Sequence, residues 1–136
     1  MNQQKILIVD DNPVIIKTLS MKIAAAGYQV ISAKDGSEAI AATRKEKPNL
    51  IVLDVSFPEE VGVAWDGFKI IAWLQRMDEA NGIPIIVISG GDAAKYKDRS
   101  LQAGAIAFFQ KPIDNEKLLE LIKKTFSEGP KKPAQA

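Results

Sequence analysis

Ile6-Leu7-Ile8-Val9-Asp10-Asp11-Asn12-Pro13 is the stretch on which the fold turns. The apolar run has the length of a strand, and Asn12 with Pro13 is a helix N-cap followed by Pro at the first helical position, where a missing N–H costs nothing. A strand therefore passes directly into a helix, with two carboxylates at the turn. The helical stripe Ile15, Ile16, Leu19 and Ile23 follows and ends near Gly27.

The same alternation recurs along the chain. Gln29 to Ser32, Leu50 to Leu53, Ile85 to Ile88 and Ala105 to Phe109 are further strand-length runs that read as apolar on both faces. Asp35 to Glu46 carries Ala39, Ile40 and Thr43 at helical spacing until Pro48 stops it. Asp66 to Ala80 offers Ile70, Ile71 and Leu74, closed by Asn81-Gly82. A weaker helix is expected from Asp92 to about Ala103, where Lys95, Tyr96, Lys97, Asp98 and Arg99 leave a narrow apolar face. The last helix, Asn115 to Phe126, has Leu118, Leu119, Ile122 and Phe126 on its apolar side and Asp114 as cap. Five strands alternating with five helices predict an α/β fold, a doubly wound parallel sheet covered on both faces with right-handed crossovers. Residues 1–128 are expected to form one domain and 129–136 a disordered C-terminal tail, which leaves nothing for an output domain.

Composition narrows the chemistry. The chain has 136 residues, 46% of them apolar, enough for one core. Its 18 Lys and Arg nearly balance 17 Asp and Glu, so no overall field draws it to nucleic acid or an anionic membrane. Without Cys or His there is no thiol nucleophile, thiolate site, imidazole base or ordinary zinc site. No apolar stretch is long enough to span a bilayer and the N-terminus lacks a signal-peptide pattern, so a cytoplasmic location is expected.

In doubly wound sheets ligands bind beyond the carboxyl ends of the strands. That rule selects Asp10 and Asp11 after the first strand, Asp54 after the third, Ser89 after the fourth and Lys111 after the fifth. Alone, Asp10-Asp11 also reads as an acidic cluster favoured by a helix N-terminus, and Ser89-Gly90-Gly91 as a turn. Together they read as a site. Converging carboxylates repel one another, and an oxygen-loving cation relieves the strain; Mg²⁺ suits the donor set and zinc does not. A carboxylate so held can attack phosphorus, which makes Asp54 the candidate nucleophile. Lys111 is expected to pair with a phosphoryl oxygen, Ser89 to hydrogen-bond it, and the backbone N–H groups of Ser56 and Gly90 to complete the cradle.

These residues resemble the receiver domain of two-component response regulators over nearly the whole chain, from Lys5 to about Phe126. The matching elements are Ile6-Leu7-Ile8-Val9-Asp10-Asp11, Asp54 with Pro58, Ile85 to Ser89, and Gly104-Ala105 leading to Phe108-Phe109-Gln110-Lys111-Pro112. The resemblance implies a flavodoxin-like strand order 2-1-3-4-5 and a Mg²⁺ ion held by Asp11, Asp54 and the Ser56 carbonyl, with Asp10 acting through water. It implies a cis Lys111–Pro112 bond. Ser89 and Phe108 become the switch pair, whose movement remodels the face of the fourth helix, fifth strand and fifth helix. Ser56 and Gly91 become the positions that tune dephosphorylation. The implied partners are a histidine kinase or histidine phosphotransfer protein and a downstream protein, with no nucleic acid or membrane contact and a monomer or weak homodimer as the working form. Chemistry would be limited to autocatalytic phosphoryl acceptance and self-dephosphorylation.

Two features depart from the common pattern. The loop between Pro58 and Asp66-Gly67 is long, running from Glu59 to Trp65, and Phe108 stands where Tyr is frequent, so its inward turn has only packing to rely on. The rival reading is a pseudo-receiver, the same fold kept as a phosphorylation-independent interaction module. A full set of repelling acids argues against it. A flavin carrier is disfavoured by acids and Pro13 in the first turn, and a haloacid-dehalogenase-type phosphatase by Ser56 in place of a second Asp.

Overall fold

A computed structural model describes residues 4–55, 67–80, 82–90 and 93–128. The strands are β1 (Lys5–Val9), β2 (Gln29–Ala33), β3 (Leu50–Asp54), β4 (Ile85–Ser89) and β5 (Ala107–Gln110), and the helices α1 (Pro13–Ala25), α2 (Gly36–Glu46), α3 (Gly67–Arg76), α4 (Ala93–Gln102) and α5 (Asn115–Ser127). All strand pairs are parallel, in the order β2-β1-β3-β4-β5. The expected strand order and helix count are both found.

Alternation along the central strands divides the core in two. Leu7, Val9, Ile51, Leu53, Ile85 and Val87 pack with Ala39 and Ile40 of α2 and with Phe68, Ile70, Ile71 and Leu74 of α3. Ile6, Ile8, Leu50, Val52, Ile86 and Ile88 pack with Leu19 and Ile23 of α1 and with Leu118 and Ile122 of α5. Each large side chain buried in this way contributes about 1.5–3 kcal/mol, which is why these three strands define the molecule.

Local signals account for the helix starts. Asn12 Oδ1 accepts from the Val14 N–H at 2.9 Å with Pro13 at the first helical position. Asp35 caps α2 through Glu38 N–H at 2.8 Å, and Asp114 caps α5 through the N–H groups of Glu116 and Lys117. Gly67 opens α3 against Val55 so closely that a Cβ there would collide with the Val55 backbone.

Three details differ from the sequence reading. Burial on both faces holds for β1, β3 and β4 but not for β2 and β5, which are the sheet edges and are only partly covered. Helix α3 ends at Arg76 rather than Ala80; Met77 and a 3-10 turn, Asp78–Ala80, continue the apolar pattern because Met77 and Ala80 stay buried on the same core. Strand β5 begins at Ala107, since Ala105 is buried in the turn after α4 and Ile106 points outward. Among the described residues no helix is long and apolar enough to cross a membrane. The expected tail, 129–136, and the long loop from Glu59 to Trp65 lie outside the described residues.

Candidate functional site

A parallel sheet places every strand's carboxyl end on one edge, so residues far apart in sequence meet there. Asp10 follows β1, Asp54 ends β3, Ser89 ends β4 and Lys111 follows β5. Hydrogen bonds across the ends hold the edge in register: Asp10 N–H to Ala33 O at 3.1 Å, Val55 N–H to Ile88 O at 3.1 Å and Lys111 N–H to Ser89 O at 2.8 Å. Asp10, Asp54 and Ser89 are buried, whereas Asp11 is exposed at the crevice mouth.

The three acids converge. Asp10, Asp11 and Asp54 each present a carboxylate oxygen, all within 4.8 Å of one another. The Lys111 ammonium donates to Asp10 Oδ2 at 2.8 Å and to Asp54 Oδ2 at 3.4 Å. Burial, the strongest single influence on Lys111, favours loss of its proton. The hydrogen bond to Asp10, the charges of Asp54 and Asp10, and the bond to Asp54 outweigh it and hold the pKa above the ordinary 10.5. Asp10 is engaged at both oxygens, because its Oδ1 also accepts from the Asn12 N–H at 2.9 Å.

The donor set fits a hard divalent cation: oxygen ligands from carboxylates, one of them open to water, and no nitrogen or sulfur. Gly90 stands beside the site, where a Cβ would be 3.8 Å from Lys111 Cδ. The Lys111–Pro112 peptide bond is cis, as the resemblance implied. Phe108 is half-buried against the α2/α3 side of the core, and Phe109 packs on the α1/α5 side. Ser56 and Gly91 lie outside the described residues, and so do their expected roles.

Sequence reasoning missed two parts of this arrangement. The Lys111–Asp10 pair spans 101 positions and leaves no local trace. The bond from the Asn12 N–H to Asp10 does have a signal, the two-residue spacing of an Asx turn.

Comparison with known proteins agrees with this geometry. The family model of the response regulator receiver domain matches residues 6–123. The polar-differentiation response regulator DivK of Brucella anthropi is 32% identical over 120 residues, covering 88% of this chain and 94% of that protein. Protein PilH of Pseudomonas aeruginosa is 32% identical over 118 residues, 87% of this chain and 93% of its own length. Among solved structures, the Vibrio cholerae chemotaxis protein CheY4 superposes with a TM-score of 0.80 at 28% identity, over 90% of this chain and 98% of that one. With five parallel strands in this order and a family match across most of its length, the chain belongs to the response regulator receiver domains of two-component systems.

Proposed function

We propose that this receiver is a phosphorylation-dependent switch that accepts a phosphoryl group on Asp54 from a histidine kinase or histidine phosphotransfer protein. The observation that carries the reading is the convergence of Asp10, Asp11, Asp54 and Lys111, from three separate strand ends, in one crevice. A carboxylate oxygen of Asp54 forms the new P–O bond as the donor's P–N bond breaks, and the leaving imidazole keeps the electron pair and takes a proton from solvent.

Each side chain has a role it can perform from where it stands. Asp10, Asp11 and Asp54 would hold a Mg²⁺ ion, which when bound supplies positive charge to offset the carboxylates and the phosphoryl oxygens. Asp10, already bonded to Lys111 and Asn12, suits an indirect part in holding it. Lys111 orients Asp54 before transfer and has donors to offer a phosphoryl oxygen afterwards, while the buried Ser89 hydroxyl and Gly90 line the same edge. The output surface is the face of α4, β5 and α5, where Leu101 and Ile106 are 41% and 44% exposed. A phosphorylation-independent module is not favoured, because such a module has no use for three clustered acids.

Incubation with a small acyl phosphate and Mg²⁺, read by intact mass, tests the acceptor. The parent should gain one phosphoryl group that is lost in mild alkali, and Asp54→Asn should gain none. Equal gain by both proteins would overturn the assignment.

A further inference from the structure

Helix α4 is anchored differently from the other four. Leu19 and Ile23 are buried from α1, Ala39 and Ile40 from α2, four apolar residues from α3, and Leu118 and Ile122 from α5. Among the described side chains of α4 the buried one is Ser100, whose hydroxyl donates back to the Tyr96 carbonyl at 2.7 Å. It rests on β4 and β5, and beside it α3 adds a side-chain contact. Tyr96 stacks on Phe68 with ring centroids 6.0 Å apart and planes 20° from parallel. The Arg99 guanidinium carbon lies 4.0 Å from the centroid of the same Phe68 ring. Both geometries are attractive, and the three-residue spacing brings Tyr96 and Arg99 to one side of the helix.

Phe68 is also tied to the acceptor strand. The preceding Gly67 lies directly on the Val55 backbone, and Val55 follows Asp54. A short mechanical path therefore runs from Asp54 through Val55, Gly67 and Phe68 to Tyr96 and Arg99. Tyr96 and the half-buried Phe108 both pack against the apolar cluster to which Phe68 belongs. Past the end of α4, the Gln75 side chain of α3 lies against Gly104, where φ is +113°.

We propose that Phe68, with Tyr96 and Arg99 against its ring, is a lateral restraint on α4 in the resting arrangement and couples it to the acceptor. The coupling rests on the reading of Asp54 as phosphoryl acceptor; the restraint itself does not. A contact present at rest and lost when α4 moves opposes activation, so weakening it favours any ligand that selects the moved state, and the effect is reciprocal.

The test uses the full chain as parent, Arg99→Gln and Phe68→Leu. Arg99 is exposed, so its variant removes the cation without opening a cavity. In the unmodified proteins, α4 amides of Arg99→Gln should exchange with deuterium about two- to fivefold faster than in the parent, the range expected for an exposed cation–π contact, with α5 amides unchanged. Phe68→Leu should show the same direction. With Mg²⁺ present, beryllofluoride should bind Arg99→Gln more tightly than the parent by a similar factor. Unchanged α4 exchange would overturn the restraint, and unchanged or weaker beryllofluoride binding would overturn the coupling. If the parent bound no beryllofluoride, the acceptor reading and the coupling would fall together, and the exchange data would still decide the restraint.

Discussion

Lys111 stands between two buried carboxylates, Asp10 and Asp54. Burial alone would discharge it, but Asp10 and Asp54 hold its proton more firmly than water does. A group whose pKa is raised by folding stabilises the folded state at and below its ordinary value, here 10.5, and the contribution is lost as pH rises through the higher folded value. In metal-free protein the parent should therefore exceed Lys111→Met in stability at neutral pH by about 1–3 kcal/mol, the scale of leaving a buried polar group unpaired. Urea unfolding should show that gap narrowing only above about pH 10.5. A gap that closed near neutrality would mean that Lys111 is not held by these carboxylates. At this scale the residue types were legible in the sequence, because each stands at the end of an apolar run. Their pairing was not, because the partners are distant along the chain.

At the scale of elements, what differs from strand to strand is position in the sheet. The runs from Ile6, Leu50 and Ile85 are fully enclosed and those from Gln29 and Ala105 are not; Gln29 and Ser32 make the first of these edge runs visibly more polar, but Ala105 to Phe109 is wholly apolar and no sequence period marks it as an edge. Helix α3 shows a second kind of information. Gly67 looks like a permissive loop residue, but its place against Val55 leaves no room for a side chain. Gly67→Ala should destabilise the protein by about 1–3 kcal/mol, the usual cost of overpacking, measured as a lower urea midpoint with an unchanged slope. An unchanged midpoint would show that α3 can move away from Val55 at little cost. The sparse apolar face read for the fourth helix does correspond to a structural property, since among the described side chains of α4 only Ser100 is buried and Tyr96 and Arg99 lie against Phe68 of α3.

For the whole molecule, the crossing from β1 to β3 sets the two acidic strand ends side by side, and the sheet carries Lys111 to them from β5. A ligand that binds only this folded arrangement must stabilise it. Mg²⁺ should raise the unfolding temperature of the parent, reaching about 2.7 kcal/mol at a hundredfold excess over its dissociation constant, and Asp11→Ala should lose most of that gain. A parent insensitive to Mg²⁺ would argue against a cation at Asp10, Asp11 and Asp54.

The sequence alone was enough for the strand and helix succession, the parallel sheet and the acidic, hydroxyl and Lys positions at the strand ends, because hydrophobic period and cap residues are local and the carboxyl-edge rule needs only their order. Tertiary structure decided which strands are edges, that Lys111 bridges Asp10 and Asp54, and that α4 leans on Phe68. Those are distances between segments remote in sequence, and they exist only once the sheet has ordered its strands.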